Sequence, residues 1–205
     1  PMNFSPLLLK YFQIKVVLAL HSNLPWVYFN LMPGNFIRNF FTKKIMEYSI
    51  YNCQTLITDS FFAKNEIFKI LKINKDKIAT IYLGINDSYL LKKEENNFVK
   101  NFDYKQKYIL SVLSCVRYHN IIKLLKAFKI YLNEKNEKIK FVLVLQVLDK
   151  NYFKEINDYI QSNFKNNEII LFDSIESKYL FGLYKNAELY LFSSYCEVFG
   201  LTSLE

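Results

Sequence analysis

A chain of 205 residues, 51% of them apolar or aromatic, can bury the core of one large domain or two small ones, which excludes a disordered chain. The net charge of +8 raises the question of an anionic partner, but the lysines are spread along the sequence, so the pattern is that of solvated helix faces and not of a nucleic-acid arm. Three cysteines, Cys53, Cys115 and Cys196, fit neither a zinc spacing nor a disulfide framework and suit a reducing, cytoplasmic setting, and no apolar run approaches the about 20 residues that span a bilayer.

The chain opens on Pro1 instead of Met, which suggests a missing front. Ile14 to Leu20 is a strand-sized aliphatic run ending in His21. Pro25, Pro33 and Gly34 predict a loop. Phe36, Ile37, Phe40, Phe41, Met46 and Tyr48 then recur at helical spacing, and such a stripe is expected in the core. Gln54 to Thr58 reads as a buried strand, Ser60 as the N-cap of a helix carrying Phe62, Ile67, Ile70 and Leu71, and Ile78 to Leu83 as a strand stopped by Gly84.

From 89 to 105 the sequence turns polar, around Lys92-Lys93-Glu94-Glu95, and reads as a linker. A second series follows: a strand over Tyr108 to Leu113, a helical stripe from Ile121 to Leu132, a strand over Ile139 to Leu145, a helix facing inward through Phe153, Ile156 and Ile160, and a strand over Glu168 to Phe172. A helix through Tyr179 to Ala187 and a last strand over Leu189 to Phe192 complete it. Two blocks of alternating strand and helix, 1–88 and 106–205, predict an α/β fold with two parallel sheets covered by helices, which bind ligands at the carboxyl ends of their strands.

The loop after the last strand is the most specific feature. Glu197 stands at the strand tip, Gly200 permits close backbone approach, and a helix is expected near Leu201 with Glu205 in its second turn. Free N–H groups at such a helix start suit a phosphate. Taken alone, both glutamates read equally well as surface acids.

Together with its context, this segment resembles the Glu, seven residues, Glu motif of retaining glycosyltransferases of the GT-B fold, in particular glycosyltransferase family 4. Leu183-Tyr184-Lys185-Asn186-Ala187 resembles that family's helix before the same strand, and Leu56-Ile57-Thr58-Asp59-Ser60 with Lys77-Ile78 and Tyr82-Leu83-Gly84-Ile85 resembles its earlier run. The resemblance implies two Rossmann-type domains, both incomplete. The C-terminal part of the acceptor-side domain would occupy 1–88, a linker 89–105, and a truncated donor domain 106–205. It also implies that a chain ending at Glu205, inside the motif, is inactive by itself.

The resemblance further implies transfer of a sugar from a nucleotide-diphosphate donor to a hydroxyl acceptor, a saccharide or a lipid-linked one, in polysaccharide biosynthesis, with no metal or other cofactor. Glu197 takes the position at the donor sugar and Glu205 the one near the ribose. Main-chain amides of Phe199, Gly200, Leu201 and Thr202 would meet the diphosphate and sugar, and His21 would point at the donor sugar. Where the family grips the diphosphate with Gly, Arg and Lys, this chain has Leu113, Ser114 and His119, so the grip is either rebuilt from Arg117 and His119 or weakened.

Two other classes remain open: a GT-B-like module that binds nucleotide or sugar without turnover, and a basic nucleic-acid-binding α/β domain, against which the scattered lysines count. Phe36 to Phe41, with Lys43 and Lys44, has a second reading beside core, contact with the inner face of a membrane, as enzymes using lipid-linked acceptors make.

Overall fold

The computed structural model describes residues 14–84, 99–100, 102–135, 138–165 and 167–204. Two compact units result: Pro1–Gly84 with Cys196–Gly200, and Ile85–Tyr195 with Leu201–Glu205. Among the described residues each unit carries one parallel sheet, as the alternation of strands and helices predicts, in an α/β fold.

In the first unit the sheet runs β1 (Val17–Leu20), β2 (Thr55–Thr58) and β3 (Ile78–Thr80), in that order. The predicted loop at Pro25 contains a short helix, α1 (Leu24–Val27), because proline fits the first helical turn, where its missing N–H has no intrahelical partner to lose. Helix α2 (Phe36–Asn52) starts where the Asn35 side chain accepts from the Arg38 amide.

Of the α2 stripe, only Met46 reaches the core. Phe36, Ile37 and Phe41 are 68%, 68% and 60% exposed, while Asn39, Thr42, Ser49 and Ile50 are buried. Periodicity states which residues share a helix face but not which face meets the sheet, and here Met46 and Ile50 make the core contact. Lys43 and Lys44 lie over the Phe29 and Phe40 rings.

Helix α3 (Phe61–Leu71) begins at Ser60, whose Oγ accepts from the Ala63 amide as the sequence predicts, and it buries Ala63, Ile67 and Leu71. Phe62 and Ile70 of the same helix are exposed. Strand β3 stops at Thr80, short of the expected Leu83, because its neighbour β2 ends at Thr58 and leaves nothing to pair with. Cys196–Gly200 departs from the single block 106–205 that the sequence suggests: Ser60 Oγ donates to the Val198 carbonyl at 2.5 Å, Val198 is buried, and the Phe199 ring lies 5.8 Å from that of Tyr82.

In the second unit the order is β6-β5-β4-β7, with β4 (Tyr108–Cys115) and β5 (Lys140–Val147) in the middle and β6 (Ile169–Phe172) and β7 (Leu189–Tyr190) outside. Central position explains the unbroken aliphatic runs of β4 and β5, since both faces are covered. Helices α4 (Ile121–Lys135) and α5 (Lys150–Asn163) supply Ile121, Leu125, Phe128, Tyr152 and Ile156 to one core. Helix α6 (Ser177–Asn186) supplies Leu183 to another, where the Tyr108 hydroxyl donates to the Leu183 carbonyl at 2.7 Å.

Strand β7 is two residues shorter than predicted. Its extension is held by single bonds, Leu191 N–H to Leu110 and Ser111 Oγ to Leu191. Of the linker predicted over 89–105, residues 89–98 and 101 lie outside the described residues; Phe102 packs edge-on against Tyr104 and Tyr108.

Candidate functional site

Parallel pairing brings two candidate groups together in the first unit. Leu20 of β1 is in register with Thr58 of β2, so the residues that follow, His21 and Asp59, leave the sheet side by side. His21 Nδ1 lies 2.9 and 3.1 Å from the two Asp59 carboxylate oxygens, to which it donates. The aspartate is 2% exposed and the imidazole 59%. Sequence reading misses Asp59 as a partner; the usable signal is a polar residue directly after each of two adjacent parallel strands.

Next to this pair, the buried Asn23 side chain donates to Glu66 of α3 at 2.9 Å. Burial, followed by the Glu66 and Glu197 carboxylates, pushes the Cys196 thiol up to about 11. Both carboxylates are therefore electrostatic neighbours of Cys196. Gly200, with φ of 76°, adopts the left-handed backbone that side chains resist, so glycine is needed where the sequence placed a close approach.

The thiolate is the reactive form of cysteine, so a raised value slows alkylation at a given pH. Cys53 and Cys115 are buried, and burial likewise raises the first and pushes the second up to about 12. Labelling of half-buried Cys196 by a maleimide at pH 8 is expected to be on the order of a hundredfold slower than that of a free thiol, rising about tenfold per pH unit up to pH 10. In Glu197→Gln, loss of a nearby negative charge lowers the thiol value and speeds labelling. Labelling at the rate of a free thiol, or indifferent to Glu197→Gln, would contradict this placement.

In the second unit the loop after β4 turns through a short 3-10 stretch, Arg117–His119, and Asn120 enters α4 with φ of 59°. Arg117 donates both terminal nitrogens to Glu155 of α5, and its guanidinium carbon sits 5.0 Å from the centre of the Tyr152 ring. His119 is 7% exposed, and its Nδ1 donates to the Ser114 carbonyl at 2.6 Å. Its ring meets Tyr118 edge-on, and its own carbonyl accepts from Ser193 Oγ. The two residues expected to rebuild the cation grip thus stand apart in environment: one half-exposed and ion-paired, one built into the turn.

Lys123 lies in the first turn of α4 and carries no distinguishing signal in the sequence. Its ammonium donates to the Tyr195 hydroxyl, and the Tyr195 amide donates to the Tyr118 carbonyl. Leu201 and Thr202 lie in a 3-10 turn, Leu201–Ser203, and not in a full helix among the described residues; Glu205 lies outside them. Among the described residues no trio of His, Cys, Asp or Glu could hold a metal, and no helix is long and apolar enough to cross a membrane.

The chain is 22% identical over 188 residues to the O-antigen chain mannosyltransferase RfbU of Salmonella typhimurium, a match covering 92% of this chain and 48% of that protein. Its fold matches sucrose-phosphate synthase from Thermosynechococcus elongatus with a TM-score of 0.71 at 18% identity, over 96% of this chain and 49% of the other. It also matches Anabaena HepE, solved with UDP and glucose, with a TM-score of 0.62 at 13% identity, over 90% of this chain and 48% of the other. The chain therefore spans about half the length of these relatives. Residues 92–205 match the profile of one family, and on that match the chain belongs to the glycosyl transferases group 1.

Proposed function

We propose that the full-length protein is a retaining glycosyltransferase of the family 4 type, moving a sugar from a nucleotide diphosphate to a hydroxyl of a saccharide or lipid-linked acceptor. The observation that carries this reading is the segment after β7: Glu197 ahead of Gly200, which has φ of 76°, and then the turn Leu201–Ser203. In this reading, negative charge growing on the leaving diphosphate is met by main-chain amides at Phe199, Gly200, Leu201 and Thr202. Glu197 faces the positive charge developing at the anomeric carbon. Glu205 takes the ribose, and His21 a sugar hydroxyl. No metal or organic cofactor is invoked.

Arg117 can join the diphosphate only by leaving Glu155. Both partners are nearly half exposed and solvent-accessible, so a doubly charged ligand can compete for the guanidinium. If the acceptor is lipid-linked, the exposed aromatics of α2 with Lys43 and Lys44 suit peripheral contact with the inner membrane face, the enzyme itself being cytoplasmic. Nucleic acid is not expected as a partner.

A second reading, a donor-binding module without turnover, is favoured by one observation: His119, at the family's lysine position, is buried in its own turn. Screening the full-length protein against UDP-, GDP- and ADP-sugars separates the two. Product formation, with the anomeric configuration of the donor kept by NMR, is expected. Donor binding without product selects the module, inversion removes the family 4 assignment, and absence of both binding and transfer defeats the proposal.

A further inference from the structure

The geometry points to Asp59 as a positioning residue that fixes the tautomer and direction of His21, so that His21 offers Nε2 as an acceptor to a ligand hydroxyl. A carboxylate only accepts hydrogen bonds, so the imidazole nitrogen held between its two oxygens, Nδ1, carries the proton. In the neutral ring the lone pair then resides on Nε2. The carboxylate is 2% exposed and cannot follow the ring into solvent, whereas the ring is 59% exposed.

The backbone on both sides is fixed. His21 follows β1 and Asp59 follows β2, in paired register, and Ser60, the next residue, is pinned as the N-cap of α3. Two strands and a helix start therefore set the position of one imidazole. A lone pair directed outward selects a donor such as a sugar hydroxyl, and disfavours a phosphate or carboxylate oxygen, which has no proton to give. Only the nature of this ligand rests on the transferase reading; the fixed tautomer does not.

The chain has two histidines, so long-range 1H–15N spectra in mildly alkaline buffer report both rings, and His21→Ala assigns them. The His21 ring is expected to be protonated on Nδ1 in the unmodified protein and to lose that preference in Asp59→Ala. An Nε2-protonated His21 in the unmodified protein overturns the inference without any variant, as does an unchanged tautomer in Asp59→Ala.

Kinetics of the full-length protein supply the second arm. Asp59→Ala is expected to lower kcat by on the order of tenfold, and to lower it no further when added to His21→Ala. Losses that multiply would mean that Asp59 acts elsewhere and overturn the inference. Because the tautomer is read without donor or acceptor, failure to transfer any sugar would count against the proposed function alone.

Discussion

Glu197→Gln lowers turnover of the full-length protein by on the order of a hundredfold, the equivalent of about 2.7 kcal/mol of transition-state stabilisation. The substitution keeps the shape of the side chain and removes only its charge. If the carboxylate faces positive charge that exists only as the sugar leaves, the loss falls on kcat while donor affinity changes little. An unchanged urea-unfolding midpoint in the variant is the control that the fold is kept. Equal turnover in the two proteins would take Glu197 out of the chemistry. A loss confined to KM would make it a ground-state contact.

Asp59 shows where sequence reading ends at this site. The strands around it are legible, because Leu56 and the aliphatics near it form a short run closed by a capping serine, and the cap is where Ser60 predicts it. The contact with His21 comes from register across two strands whose residues are 38 positions apart, and local periodicity does not contain that number. Arg117 and His119 illustrate the same limit. Residue type suggests a cation at each, but Glu155 reaches Arg117 from α5, and the ring of His119 is closed in by Tyr118 and Phe192.

Helix α2 adds a further case. Phe36, Ile37, Phe40, Phe41 and Tyr48 share its exposed face, while Met46, read as part of the same stripe, lies on the other face with Ile50 and the small polar side chains Asn39, Thr42 and Ser49. Hydrophobicity alone selects the wrong side here, because a stripe in sequence is evidence of burial only when no other partner is available to the helix.

The largest stability effect is expected at the middle of the second sheet, where Phe141→Ala destabilises the unit by about 3–5 kcal/mol. Phe141 is fully buried on β5, in register with Ile109 on one side and Ile169 on the other, with the Phe128 ring 5.1 Å away. Removing the ring leaves a cavity that two paired strands cannot close without breaking their ladder, so relaxation offsets little of the loss. Phe41→Ala is the matched comparison: the same atoms are deleted from a ring 60% exposed on α2, where the expected cost stays below about 1 kcal/mol. Urea unfolding followed by circular dichroism measures both. Equal midpoint shifts for the two variants would contradict the assignment of Phe141 to the core. A shift at Phe41 as large as the one expected at Phe141 would mean that the α2 face is covered in solution, and would remove the support it lends to membrane contact.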